Sequence, residues 1–285
     1  MPDPNALRAA AVTTAQSLPR RALMRALGAT LTQESLELRS TAGYRLFGRV
    51  WRPERAGPHP AVLLCPGTND AGEVFEGWTQ PVNAREIAAM GFVVAHFDPA
   101  GRGRSWGEED YGGPEHQDNV RVALRALAAH PQVDPTRVLV VSISLGLAMA
   151  CGALADWADG PAVTALIDWE GPCDREIITA GGARLVPAMG HGLDDEFYWT
   201  PREATRHIGR LRCGYLRVQS ARDHAQPGEL RHAERMIQAA SRGGLPWYQL
   251  NDHPVGAVPQ NPEWIPPGRA RANRALLRAI RRLSQ

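Results

Sequence analysis

Short runs of branched apolar residues recur along this chain, and each gives way within a few residues to a turn and then to a helix-patterned segment. The runs are "PHPAVLLCPG", "FVVAHFDPAGRGRS", "RVLVVSIS", "AVTALIDWEG", "GYLRVQSARD" and "WYQLND". Near-continuous apolar runs, rather than alternating ones, mark strands buried on both faces. The segments between them have helical spacing: "QPVNAREIAAMG", "HQDNVRVALRALAAH" with Val120, Leu124 and Leu127 on one face, a stretch from about Leu145 to Trp157, "AERMIQAASRGG" and "RARANRALLRAIRRL". Strands alternating with helices predict an α/β fold with a mostly parallel sheet covered on both faces. Upstream, "LELRS" and "YRLFGRVWRP" alternate as strands do, with "TAG" as the turn between them. Residues 1–33 are read as an N-terminal helical extension and 34–285 as the domain. Residues 171–211 break the rhythm. This segment is rich in Gly, charge and aromatics, and it is read as a lid or cap inserted before the penultimate strand.

Composition removes several chemistries. The chain has 285 residues, and all 32 of its Lys-plus-Arg residues are Arg. Without lysine there is no Schiff base, no phosphate-loop lysine and no Ser-Lys dyad. A net charge of +2 gives no reason to expect nucleic acid or an acidic membrane surface as partner. Cys65, Cys151, Cys173 and Cys213 lack paired CxxC spacing, and Cys65, Cys151 and Cys213 lie in apolar segments, so they are read as buried small hydrophobes. Asp194, Asp195 and Glu196 are three acids in succession, the pattern of a solvated loop rather than a metal site. Neither metal nor cofactor is expected. Arg8, Arg20, Arg21 and Arg25 interrupt the N-terminal segment, so a signal or membrane helix is not expected and a cytoplasmic setting is.

Candidate chemistry centres on "VLVVSISLGLAMA", residues 138–150. Ser144 lies between a buried strand and a helix, with Ser142 and Gly146 two residues to either side. A tight strand-to-helix turn needs small flanks there. The pattern resembles the nucleophile elbow G-x-S-x-G, with Ser in place of the first Gly. A serine hydroxyl is a weak nucleophile until a base takes its proton, and the base needs an acid to orient it. Asp223 follows the strand "YLRVQSA", and His253 follows "WYQLND". Ser144, Asp223 and His253 therefore come in the order nucleophile, acid, base, each just past a strand. Glu170, in "DWEGP", is the alternative acid. His224 is read as a surface or gate residue and Ser142 as small packing. Structural alternatives stand beside these roles: Asp223 as a cap or turn residue, His253 as a loop histidine. Phe197, Tyr198 and Trp199 either line an acyl pocket or pin the 171–211 segment to the body.

With these residues in order, the chain resembles the α/β-hydrolase superfamily over about residues 36–285. The layout is closest to serine esterases of the dienelactone-hydrolase and prolyl-oligopeptidase-like branch. "VLLCPGTND" stands where the family has its oxyanion strand and loop, with Pro66-Gly67 in place of His-Gly. The resemblance implies that the backbone N–H groups of Thr68 and Leu145 form the oxyanion hole. "DPAGRGRS" looks like the family's loop after the following strand. The implied function is a cofactor-free serine hydrolase acting on a small-molecule ester through Ser144, Asp223 and His253. The same triad serves a peptidase or thioesterase. A non-catalytic binding protein on this fold is the alternative of a different class, and it typically lacks a triad member.

Overall fold

The apolar runs become the strands of one sheet. The computed structural model describes residues 30–180, 190–225 and 230–285. Eight strands lie in the order β1-β2-β4-β3-β5-β6-β7-β8. They are β1 Leu31–Arg39, β2 Arg45–Pro53, β3 His59–Cys65, β4 Val93–Phe97, β5 Val133–Ile143, β6 Ala165–Trp169, β7 Gly214–Val218 and β8 Tyr248–Leu250. β1 runs antiparallel to β2, and β2 antiparallel to β4. All remaining pairs are parallel. β1 begins at Leu31, so the domain boundary expected at 33/34 falls inside a strand; residues 1–29 of the expected helical extension lie outside the described residues.

Strand periodicity divides the core into two layers. On β3, Ala61, Leu63 and Cys65 face one side while Val62 and Leu64 face the other; on β5, Val138 and Val140 oppose Leu139, Val141 and Ile143. The first layer is covered by α2 (Pro114–Ala128), α3 (Gly146–Leu154) and α7 (Arg231–Ser241), through residues such as Leu124, Leu147 and Met236. The second is covered by α1 (Ala84–Ala89) and α8 (Arg269–Leu283), through Ile87, Leu276 and Ile280. Each fully buried Val, Leu or Ile contributes roughly 1.5–3 kcal/mol, which is why runs apolar on both sides occupy the sheet's centre. All four cysteines are free and buried, and burial pushes the Cys213 thiol up to about 12. No described helix is long and apolar enough to cross a membrane.

The segment between β6 and β7 carries α4 (Arg175–Ala180), α5 (Glu196–Trp199) and α6 (Ala204–His207). Its residues 181–189 lie outside the described residues. The rest is fastened to the body. Trp199 is fully buried against Leu145, Ala148 and Ile178, and its indole N–H donates to Gly192 O at 2.8 Å. Arg202 pairs with Asp110, and Gln117 Nε2 donates to Pro201 O at 2.6 Å. Arg175 bridges Glu196 and Glu203 at 2.7 Å each. Of the three aromatics offered as pocket residues, Trp199 is thus an anchor, Phe197 is 94% exposed, and Tyr198 is half-buried under the Arg202 guanidinium. Trp199→Ala is expected to lower stability by about 3–5 kcal/mol, the usual cost of emptying a fully buried aromatic site. Thermal unfolding measures this as a large fall in Tm.

Candidate active site

Ser144 follows β5 in a conformation that few L-residues adopt. Its φ is +53°, in the left-handed region, between Ile143 at the strand end and Gly146 at the start of α3. Such a residue costs of order 1–3 kcal/mol and persists only where its surroundings fix it. Those surroundings are visible. Ser144 N–H donates to Trp169 O at 3.0 Å, and Leu147 N–H donates back to Ser144 O at 3.0 Å. A Cβ on Gly146 would lie 2.6 Å from Pro66 O and 2.7 Å from Cys65 O, both backbone, so only glycine fits that flank. Ser142 is buried beside Cys65, and its Oγ has no partner among the described residues, as befits a small packing residue.

The loop after β3 comes up against this turn. A methyl group placed on Gly67 would sit 3.2 Å from Ser144 Cβ. Arg102, buried in the "DPAGRGRS" loop, donates from Nη1 to Gly67 O at 2.6 Å and forks onto Glu109 at 2.5 and 2.7 Å. This arginine clamps the loop in place. Among the described residues, neither Thr68 N–H nor Leu145 N–H has a hydrogen-bond acceptor. Leu145 follows the strained serine directly, and Thr68 follows Gly67 in the loop packed against it.

A second left-handed residue follows β6. Glu170 has φ +51°, and Gly171 N–H donates to Asp168 Oδ1 at 3.0 Å to close the turn. Asp168 is itself locked by the fully buried Arg217 at 2.5 Å. The Glu170 carboxylate is buried and fully engaged. Oε1 accepts from Ser220 N–H at 3.0 Å, and Oε2 accepts from His224 N–H at 2.9 Å and lies 2.9 Å from His224 Nδ1. The His224 ring stacks on Trp169, centroids 4.4 Å apart, and the Trp169 carbonyl is the group that holds Ser144 N–H. With Nδ1 turned to Glu170, the ring's Nε2 has no hydrogen-bond partner among the described residues. The Ser144 turn, the His224 ring and the Glu170 carboxylate are thus linked through Trp169 and its neighbours at the C-terminal ends of β5, β6 and β7.

This differs from the triad expected from chain order. Asp223 and His253 make no hydrogen bond or ion pair with each other. Asp223 is buried, with Oδ2 3.1 Å from both His232 Nε2 and Gln219 Nε2, while Oδ1 accepts from Ala225 N–H at 2.9 Å. Burial alone would raise its pKa, but the hydrogen bonds from His232, Ala225 and Gln219 outweigh burial and hold it well below the usual carboxylate range. Asp223 Oδ1 also lies 3.7 Å from His224 Nδ1, so it stands behind the same imidazole as Glu170. His253 Nε2 instead accepts from Glu263 N–H at 2.8 Å, in a groove of about 600 Å³ shared with Arg271 and Arg274. The cause is the 254–267 loop. Its Ile265 pairs alongside Ser220, through Ile265 N–H to Gln219 O and Ala221 N–H to Ile265 O, and so wedges between the ends of β7 and β8.

Glu170, Asp223 and His224 bring three potential metal-ligand atoms within 4.8 Å of one another. All four carboxylate oxygens already accept hydrogen bonds: Glu170 Oε2 faces the His224 imidazole, and the other three hold Ser220 N–H, Ala225 N–H, Gln219 and His232.

The fold is shared with known proteins. A puromycin hydrolase superposes with a TM-score of 0.64 at 16% identity, over 89% of this chain and 39% of that one. The chain has the α/β-hydrolase fold. The esterase Pf2001 of Pyrococcus furiosus shares this fold with a TM-score of 0.59 at 14% identity, over 79% of this chain and 82% of that one. An uncharacterized peptidase, YuxL, of Bacillus subtilis (strain 168) is 24% identical over 134 residues. That match takes in 45% of this chain but spans only a fifth of the length of the peptidase, 20%. No family model matches the chain. Within the α/β-hydrolase fold, Ser144 occupies the turn after the fifth strand, and Glu170 and His224 follow the sixth and seventh.

Proposed function

We propose that the protein is a serine hydrolase that cleaves a carboxylic ester, with Ser144 as nucleophile, His224 as general base and Glu170 as the orienting acid. The observation that carries this reading is the Glu170–His224 pair, 2.9 Å apart, beside a left-handed serine turn with two unused backbone donors. Ser144 Oγ attacks the carbonyl carbon while its proton passes to His224 Nε2. Glu170 keeps the proton on Nδ1 and stabilises the imidazolium. Thr68 and Leu145 N–H receive the oxyanion, each donor being worth about 3–4 kcal/mol in comparable sites. Collapse breaks the bond to the leaving group, which takes the proton from His224. Water, deprotonated by the same imidazole, then releases the acid and restores Ser144.

A peptidase uses the same steps with an amine as leaving group, and neighbours named as an esterase and as peptidases support the two readings alike. A fluorophosphonate is expected to label the protein once, at Ser144, as located by peptide mapping. A matched panel of esters, thioesters and anilides then ranks the leaving groups. Failure to label under conditions where a control serine hydrolase reacts would reject the reading in favour of a non-catalytic binding protein.

A further inference from the structure

The turn that supplies the oxyanion donor also carries a carboxylate that the mechanism above does not use. Asp70 lies two residues beyond Thr68, after Asn69 at φ +56°. Arg102 Nη1 holds Gly67 O and, at 3.3 Å, Asp70 O, so the acid's backbone is fixed together with the oxyanion loop. The methyl group that would touch Ser144 Cβ from Gly67 would also lie 3.6 Å from Asp70 Oδ2. The acid therefore borders the space where a carbonyl must sit.

Its charge has no counterpart there. Among the described residues its side chain has one hydrogen-bond partner, the neutral amide of Gln80 at 3.4 Å. The nearby Arg102 guanidinium is committed to Glu109, and the His224 imidazole to Glu170. Asp70 is half-buried, and burial pushes its carboxyl up from the ordinary range, against the weaker pull of Arg102 and His224. A carboxylate at this place opposes the negative charge that grows on a neutral substrate's oxygen. A substrate with a positive group at the same place turns that opposition into a charge-assisted contact.

Building on the serine-hydrolase reading, we propose that Asp70 receives a protonated amine next to the scissile carbonyl, so that the substrates are α-aminoacyl esters or amides. The α-nitrogen is two bonds from the carbonyl carbon, so an oxygen in the Thr68 pocket puts the ammonium beside the acid two residues further along the loop. Uncharged acyl esters and N-acylated analogues lack the group that Asp70 faces.

The test compares L-alanine ethyl ester with ethyl propionate, which differ by the ammonium group alone, in wild type and Asp70→Asn. Wild type is expected to prefer the alanine ester by about 10- to 100-fold in kcat/KM, the usual worth of one hydrogen bond to a charged group. Asp70→Asn is expected to lose that advantage while hydrolysing ethyl propionate faster than wild type, because a negative charge has left the oxyanion's surroundings. An equal fall for both esters would make Asp70 a structural residue and overturn the proposal. So would the absence of an alanine-ester preference in wild type, including hydrolysis of neither ester, while fluorophosphonate still labels Ser144. Loss of that label in wild type would instead overturn the underlying triad.

Discussion

Ser144→Ala is expected to abolish hydrolysis, with kcat falling by at least ~10³, because no acyl-enzyme can form and only oxyanion binding remains. The fold should survive. Alanine meets the same backbone strain at φ +53° as serine does, and the hydrogen bonds that hold the turn run through main-chain N–H and C=O groups. Thermal unfolding should therefore move little while fluorophosphonate labelling disappears. Ser142→Ala is the control. Its hydroxyl is buried without a partner, so its loss should leave turnover intact. A dead Ser142→Ala beside an active Ser144→Ala would reverse the assignment of the nucleophile.

The second large effect separates the two possible acid–base pairs. Glu170→Gln is expected to reduce kcat by about 10³–10⁴, as loss of the orienting carboxylate does in other triads, because the imidazole would adopt the wrong tautomer. The amide retains an oxygen for Ser220 N–H, so the damage should fall on catalysis rather than on folding. His224→Gln should be as severe. His253→Gln should leave kcat within a few-fold of wild type, since among the described residues that ring bonds only the Glu263 backbone. Asp223→Asn should fall between these limits. It stands 3.7 Å behind the same imidazole, and its charge also faces His232 at 3.1 Å. Steady-state kinetics on one ester ranks all four. An inactive His253→Gln together with an active His224→Gln would return the base to the loop after β8.

Much of this arrangement is local and therefore legible in the chain. The β5 run "RVLVVSIS" is apolar at successive positions because both sheet faces are covered, and periodicity exposes that directly. The Ser144 turn is equally local. Its tightness comes from Ser142 and Gly146, two residues to either side, and Gly146 is forced by the backbone of β3. The proposed oxyanion donors, Leu145 and Thr68, follow from the same turn and from the loop after β3.

The proposed acid–base pair is not local. Asp223 and His253 satisfy the order of roles along the chain, with Glu170 as the alternative acid. What decides between them is how three loops from β6, β7 and β8 pack on one another. The left-handed turn at Glu170, locked by Asp168 and Arg217, aims its carboxylate at the Ser220 and His224 main chain. The 254–267 loop inserts beside Ser220 and holds His253 away. The dipeptide Asp223-His224 offered a signal, because a histidine just past a strand end can reach a carboxylate ending the neighbouring strand. Periodicity and turn chemistry fix each strand and its terminal residue, since those depend on neighbours a few positions away. Which terminal side chains share a hydrogen bond depends on the register of β6 against β7 and on a loop that returns from β8, and such long-range pairing exists only once the sheet is assembled.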